Sequence, residues 1–162
     1  PPVQNCRGAG AMVGHLVSLV HRRIAIIKGS PRNYDAAERL RGYRIALRDA
    51  GIVPDTSLEL AGNFTEAGGY AAAIELLAMR VRPTAIFAAN DSMAIGALIA
   101  LRESGIAVPD EMAVAGFDDI PSARYMEHPL SSSHAPTCTL RPRAVALPLR
   151  SSPPPYHPAH TR

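Results

Sequence analysis

Four short apolar runs, each bounded by turn residues, alternate along this chain with longer segments whose apolar positions recur every three or four residues. Arg23-Ile24-Ala25-Ile26-Ile27-Lys28 is apolar without alternation and is stopped by Gly29-Ser30-Pro31. A run apolar on both faces fits a strand covered on both sides, as in a parallel sheet. Ser57 to Ala61, Thr84 to Ala89 and Glu111 to Phe117 predict three more strands, Thr84-Ala85-Ile86-Phe87-Ala88-Ala89 being the clearest. Helical periodicity fills the gaps. Arg7 to Val20 predicts a helix with Ala11, His15, Leu16 and Leu19 on one face. A second runs from an Asp35 cap to about Ala50, with Ala37, Leu40, Tyr43 and Leu47 inward and Gly51 as its stop. Thr65-Glu66 opens a third, which passes Leu77 before Pro83. A fourth spans Ser92 to Ser104, with Asp91 as its structural cap and Gly105 at its end. The order α-β-α-β-α-β-α-β implies βαβ crossovers: an α/β fold, a parallel sheet with helices on both faces.

Composition divides the chain. Residues 1–128 hold 13 Lys+Arg against 14 Asp+Glu, whereas residues 129–162 hold 4 Arg and no acid. The sequence pI near 9.2 is therefore a property of the tail, and the body has no basic stripe with interleaved aromatics for direct nucleic-acid contact. Of 15 prolines, 8 fall after residue 128. At that density they oppose helix interiors and central strands, so the Pro/Ser/His-rich segment 131–162 is expected to be disordered or foreign to the fold. No apolar run is long enough for a transmembrane helix, no secretory leader is visible at the start, and no membrane partner is expected. Cys6 and Cys138 are too isolated for a disulfide framework or a zinc site, which fits a reducing, cytoplasmic setting.

Catalytic and cofactor signatures are missing. Gly8-Ala9-Gly10-Ala11-Met12-Val13-Gly14 lacks the spacing of a dinucleotide loop and follows no strand. Neither a phosphate loop nor a Gly-x-Ser-x-Gly elbow occurs. The histidines have no metal-ligand spacing in the folded part; His21, after a helix and before two arginines, suits a cation at a helix carboxyl end. No cofactor, metal or catalytic residue is expected.

Ligands of open parallel sheets bind outside the carboxyl ends of the strands. At those ends stand Gly29-Ser30, Gly62-Asn63-Phe64, Ala89-Asn90-Asp91 and Gly116-Phe117-Asp118-Asp119, with Arg39 in the helix after the first strand. An amide, carboxylates, an arginine and an aromatic ring on one rim suit a sugar or similar polyol: hydroxyls meet planar donors and acceptors, and ring carbons meet the aromatic face. Position alone leaves alternatives open. Phe64 also reads as core, Asp118 and Asp119 as turn residues, and Arg39 is not separated from Arg41 or Arg44.

The chain resembles the effector-binding domain of LacI/GalR-type bacterial transcription repressors. The words that carry this are His15-Leu16 with His21-Arg22-Arg23-Ile24-Ala25, Arg39-Leu40-Arg41-Gly42-Tyr43, Pro83 through Ala97, Val114-Ala115-Gly116-Phe117-Asp118-Asp119, and His128-Pro129-Leu130. They stand in order over about Asn5 to Leu130. The resemblance implies a periplasmic-binding-protein-like fold of two subdomains with the effector between them, of which this chain is mainly the carboxyl-terminal one. It implies Arg39, Phe64, Asn90 and Asp118 as the ligand-binding residues, with Asn63 where the family has Asp. It also implies a homodimer in the intact protein, contact with DNA only through another domain, and a cytoplasmic location. Residues 1–20 then read as a remnant linking helix of the amino-terminal subdomain and 21–130 as the effector-binding subdomain. A helix-turn-helix, a hinge and the first strands of the other subdomain are not in this sequence, which reads as truncated. Ser131-Ser132-Ser133 replaces the Leu-Thr-Thr-Val-type crossing strand, and the shift to Pro, Ser, His and Arg reads as a frame-shifted tail.

Three functions fit an α/β domain of this type. The first is the effector sensor of a repressor, without catalysis. The second is a sugar-binding protein for transport, which a leader peptide would favour and a helix-turn-helix would exclude. The third, an enzyme using Asp91, Asp118 or Asp119 as acid or base, lacks any accompanying nucleophile, phosphate loop or metal set. As a half-cleft, the chain is expected to bind sugar weakly or not at all and to leave one face of the sheet or helices uncovered.

Overall fold

The structure is a computed structural model, which describes residues 2–117 and the backbone of 131–133. Five strands form one sheet: β1 (Ile24–Lys28), β2 (Glu59–Ala61), β3 (Ala85–Ala88), β4 (Ala113–Phe117) and β5 (Ser131–Ser133). All pairings are parallel and the spatial order is β2-β1-β3-β4-β5. Four helices alternate with the first four strands: α1 (Pro2–Ser18), α2 (Tyr34–Asp49), α3 (Glu66–Leu77) and α4 (Asp91–Glu103).

The unalternating strands have the reason given by their sequence. Successive side chains point to opposite faces, and both faces are covered. Ile24 and Ile26 of β1, Ala85 and Phe87 of β3, and Ala113, Ala115 and Phe117 of β4 pack with α1 and α2. Ala25, Ile27, Leu60, Ile86, Ala88 and Val114 pack on the other side with α3 and α4. Both faces of β1, β3 and β4 are thus covered, one by α1 and α2 and the other by α3 and α4.

Helix α1 begins five residues earlier than its periodicity suggested, and its inward face is different. Ala9, Met12, Val13 and Leu16 are buried at the i, i+3, i+4, i+7 spacing. Ala11 and Leu19, expected inside, are exposed. Since these α1 residues share a core with β1, β3 and β4, residue 20 is not a packing boundary. The two helices of this layer approach closely at Gly42, where a Cβ would lie 2.2 Å from the Cys6 carbonyl oxygen.

Two helix caps fall on neighbours of the expected residues. Asn33 caps α2 by accepting from Ala36 N, which places Asp35 within the first turn. Asn90, not Asp91, caps α4. Asn90 has the extended backbone a cap requires, φ −150 and ψ 168, whereas Asp91 is already helical. Gly51 and Gly105 end α2 and α4 with φ of +73 and +71, the left-handed position beyond a helix end.

Of the expected second strand, Ser57 to Ala61, the first two residues belong to a 3-10 turn (Thr56–Leu58), and Glu59–Ala61 forms the strand and pairs with β1. At the far edge Ser131–Ser133 pairs with Ala115–Phe117. The first three residues of the segment expected to be disordered or foreign thus form a strand, and residues 134–162 lie outside the described residues. A strand edge accepts any backbone with free N–H and C=O groups, and serine has both.

Candidate functional site at the carboxyl edge of the sheet

Strand order reverses between β1 and β3, since β1 leads outward to β2 on one side and β3 leads to β4 on the other. At such a switch point the loops after neighbouring strands diverge and leave a crevice at the carboxyl edge. Here those loops begin at Gly29 after β1 and at Ala89-Asn90 after β3.

Arg39 reaches this edge from α2. It is 6% exposed, and a guanidinium so placed needs partners. Its Nε donates to Asn5 Oδ1 at 3.0 Å, and Nη1 donates to the carbonyl of Ala89, the residue after β3. The guanidinium carbon lies 4.1 Å from the centre of the Phe117 ring at the end of β4, within the range of a cation–π contact. The neighbouring candidates are used elsewhere: Arg41 pairs with Glu38 on the surface, and Arg44 forms a two-bond pair with Glu59 on β2. Their pKa values rise, chiefly through the bonds to those carboxylates. Geometry thus separates Arg39 from Arg41 and Arg44, which sequence position did not.

Phe64 lies at the end of the loop after β2. Asn63 and Phe64 have φ of +53 and +62, two consecutive left-handed residues that are not glycine. Such residues cost free energy and persist where surroundings hold them. The hold is visible. Asn90 Nδ2 donates to the Phe64 carbonyl at 3.2 Å, and the Phe64 ring lies over Gly29, where a Cβ would sit 2.1 Å from Cζ. The ring packs on the core edge and is half-buried.

Asn90 joins the two halves of the rim. Its Oδ1 accepts from Met93 N at 2.9 Å as the α4 cap, while its amide holds the Phe64 loop. A carboxamide retains one N–H and an oxygen lone pair after those two bonds. Asp91, 1% exposed, places Oδ1 where a Cβ on Gly116 would come within 2.1 Å, so a side chain at that position in β4 would have to displace the buried Asp91 carboxylate. Asp118 and Asp119 lie outside the described residues, as do His128, Pro129 and Leu130.

The structure therefore brings Arg39, Phe64 and Asn90 to one rim. Sequence reasoning missed two members: Phe117, read only as the strand's last apolar residue, and Asn5. A depression of about 230 Å³ lies at the opposite edge, lined by Ile24, Tyr43, Leu47, Ile52 and Leu58 among others. It sits at the amino ends of the strands, where no loop follows a strand. Among the described residues, no group of three or more His, Cys, Asp or Glu could hold a metal, and no helix is long and apolar enough to cross a membrane.

A family model described as a periplasmic binding protein-like domain matches residues 13–161. The HTH-type transcriptional regulator GalS of Salmonella typhimurium is 38% identical over 150 residues, 93% of this chain and 44% of that protein. The ribose operon repressor of Escherichia coli K12 is 39% identical over 139 residues, 85% of this chain and 42% of that protein. A solved transcriptional regulator CelR–cellobiose complex superposes with a TM-score of 0.77 at 42% identity, covering 80% of this chain and 39% of that one. The chain belongs to the periplasmic binding protein-like domain family, in the form carried by LacI-type transcriptional regulators. It spans less than half the length of the curated relatives it matches. The match continues to residue 161, past the Leu130 boundary drawn from composition.

Proposed function

We propose that this chain supplies one wall of the effector site of a transcriptional repressor, and that the effector is a sugar or a related small polar ligand. Arg39, Phe64, Asn90 and Asp118 are its ligand-facing residues. The observation that carries this is the meeting of Arg39, Phe64 and Asn90 at the switch point of a parallel sheet. The CelR relative with cellobiose supports the ligand class. The site binds and does not turn over its ligand. In the intact homodimer, effector binding shifts closure of two subdomains, and a DNA-binding domain outside this chain reads that shift in the cytoplasm.

The test is thermal unfolding of the intact regulator with D-ribose, D-galactose and cellobiose in turn. A ligand that binds only the folded state raises Tm in proportion to the logarithm of its concentration. At least one of these sugars is expected to do so, and Arg39→Met is expected to abolish the rise. A sugar-induced rise that survives Arg39→Met would remove Arg39 from the site.

A further inference from the structure

We propose that Asn5 is the positioning residue that sets the orientation of the Arg39 guanidinium. Asn5 is one of three buried polar or charged residues among those described, with Arg39 and Asp91, and is 6% exposed. It lies on α1, thirty-four positions from Arg39 in the chain. Its carboxamide has one acceptor and one donor end, and each has a different partner. Oδ1 accepts from Arg39 Nε at 3.0 Å, and Nδ2 donates to Asp35 Oδ1 at 2.8 Å.

The bond to Asp35 fixes which end of the amide faces Arg39. A carboxylate takes only the N–H end, so the oxygen is left for the guanidinium. Nε then has a set direction. Since the guanidinium is planar, fixing Nε toward Asn5 and Nη1 toward the Ala89 carbonyl defines the plane that lies over Phe117. Asp35 is exposed on the first turn of α2, so the chain Asp35–Asn5–Arg39 runs from solvent into the rim. Leucine at position 5 would fill similar space but offer no acceptor. Aspartate would keep the acceptor and lose the donor. That an ordered Arg39 serves a ligand rests on the function proposed above; the orientation itself does not.

The experiment is ¹⁵N NMR of the arginine Nε–H groups in the labelled chain, with Arg39 assigned by the signal lost in Arg39→Lys. The Arg39 Nε–H is expected to be displaced from the exposed arginines by the Phe117 ring and to exchange slowly with water. In Asn5→Leu its exchange should accelerate roughly tenfold or more as a charge-assisted bond is lost, and its shift should move toward the exposed arginines. In Asn5→Asp combined with Asp35→Asn, which keeps an acceptor for Nε and exchanges the donor and acceptor of the Asn5–Asp35 bond, both properties should stay near those of the unsubstituted chain. Leu47→Ala, which opens the same core elsewhere, should lower Tm without moving the signal. An unchanged Arg39 signal in Asn5→Leu would overturn the proposal, as would equal loss in Asn5→Asp combined with Asp35→Asn. Should Asn5→Leu fail to fold, Asn5→Ser decides in the same way, because its oxygen falls short of Nε. Titration of Arg39→Lys with D-ribose, D-galactose and cellobiose separates the two claims. Unaltered sugar binding there would end the ligand role of Arg39 and leave the Asn5 result standing.

Discussion

Asn90 does two things at once, and two substitutions pull them apart. As the α4 cap it satisfies Met93 N, and as a donor it holds the carbonyl of Phe64, the second of two left-handed residues. Asn90→Ala removes both. Losing a cap costs about 1 kcal/mol, and losing the bond to Phe64 about another 1 kcal/mol. For a chain of this length each kcal/mol is worth roughly 2–4 °C, so Tm should fall by about 4–8 °C. Asn90→Ser restores the cap, since a serine hydroxyl accepts from the same backbone N–H, but it offers no amide to Phe64. It should lose about half as much, roughly 2–4 °C. Thermal unfolding by circular dichroism measures both, and hydrogen exchange at Phe64 and Thr65 localises the effect. Both variants should speed exchange in this loop, whereas only Asn90→Ala should loosen the first turn of α4. Equal Tm losses in the two variants would refute the division of roles. A serine variant as stable as the unsubstituted chain would show that the loop tie contributes nothing.

Other substitutions test the packing. Gly96→Ala should cost about 3 kcal/mol by urea denaturation, because its Cβ would meet the Glu66 carbonyl oxygen at 1.9 Å and neither helix backbone can yield cheaply. Gly14→Ala, with nothing within 4 Å of its Cβ in α1, should instead stabilise by about 0.5–1 kcal/mol. His21 bonds Thr84 Oγ1 at 2.8 Å, and burial lowers its pKa below the ordinary value. The unfolded chain then takes up the proton first. The stability His21 contributes is complete above about pH 6.5 and declines as pH falls from there toward the lowered folded value. A Tm profile from pH 8 to 5 should flatten in His21→Gln. Glu59 has a side chain 3% exposed and Arg44 one 38% exposed, so Arg44→Met should cost about 1–2 kcal/mol by stranding a carboxylate, discounted for the half-open arginine. Much of that should return in Arg44→Met with Glu59→Gln.

What was legible in the sequence was whatever depends on period and punctuation. Unalternating runs such as Ile24-Ala25-Ile26-Ile27 gave the strands, and Gly51 and Gly105 gave two helix ends, since both features are local. The misplaced caps have a local cause too. In Asn90-Asp91 both residue types cap well, and only the backbone angle at Asn90 tells which one does. Strand β5 had no signal in its own residues, although the resemblance sets a crossing strand at that place, because three serines pair through their backbone on an edge that β4 leaves open. The rim was legible as positions at strand ends, but its internal wiring was not. Nothing near Asn5 in sequence announces a bond to Arg39, and nothing in the Phe117 strand announces a ring beneath a cation. Those contacts exist only after α1 and α2 lie side by side on the sheet.

The most direct test of the central claim is an amide NMR titration of this chain with D-ribose, D-galactose and cellobiose. One wall of a cleft should bind weakly, with a Kd of about 1 mM or above, since it offers part of the contacts and none of the enclosure. The predicted result is a saturable shift confined to Gly29, Ser30, Phe64, Asn90 and the Arg39 Nε–H. Shifts confined instead to the opposite edge, at Arg22, Ile52 and Val53, would contradict the account, as would a low-micromolar Kd for any of the three sugars.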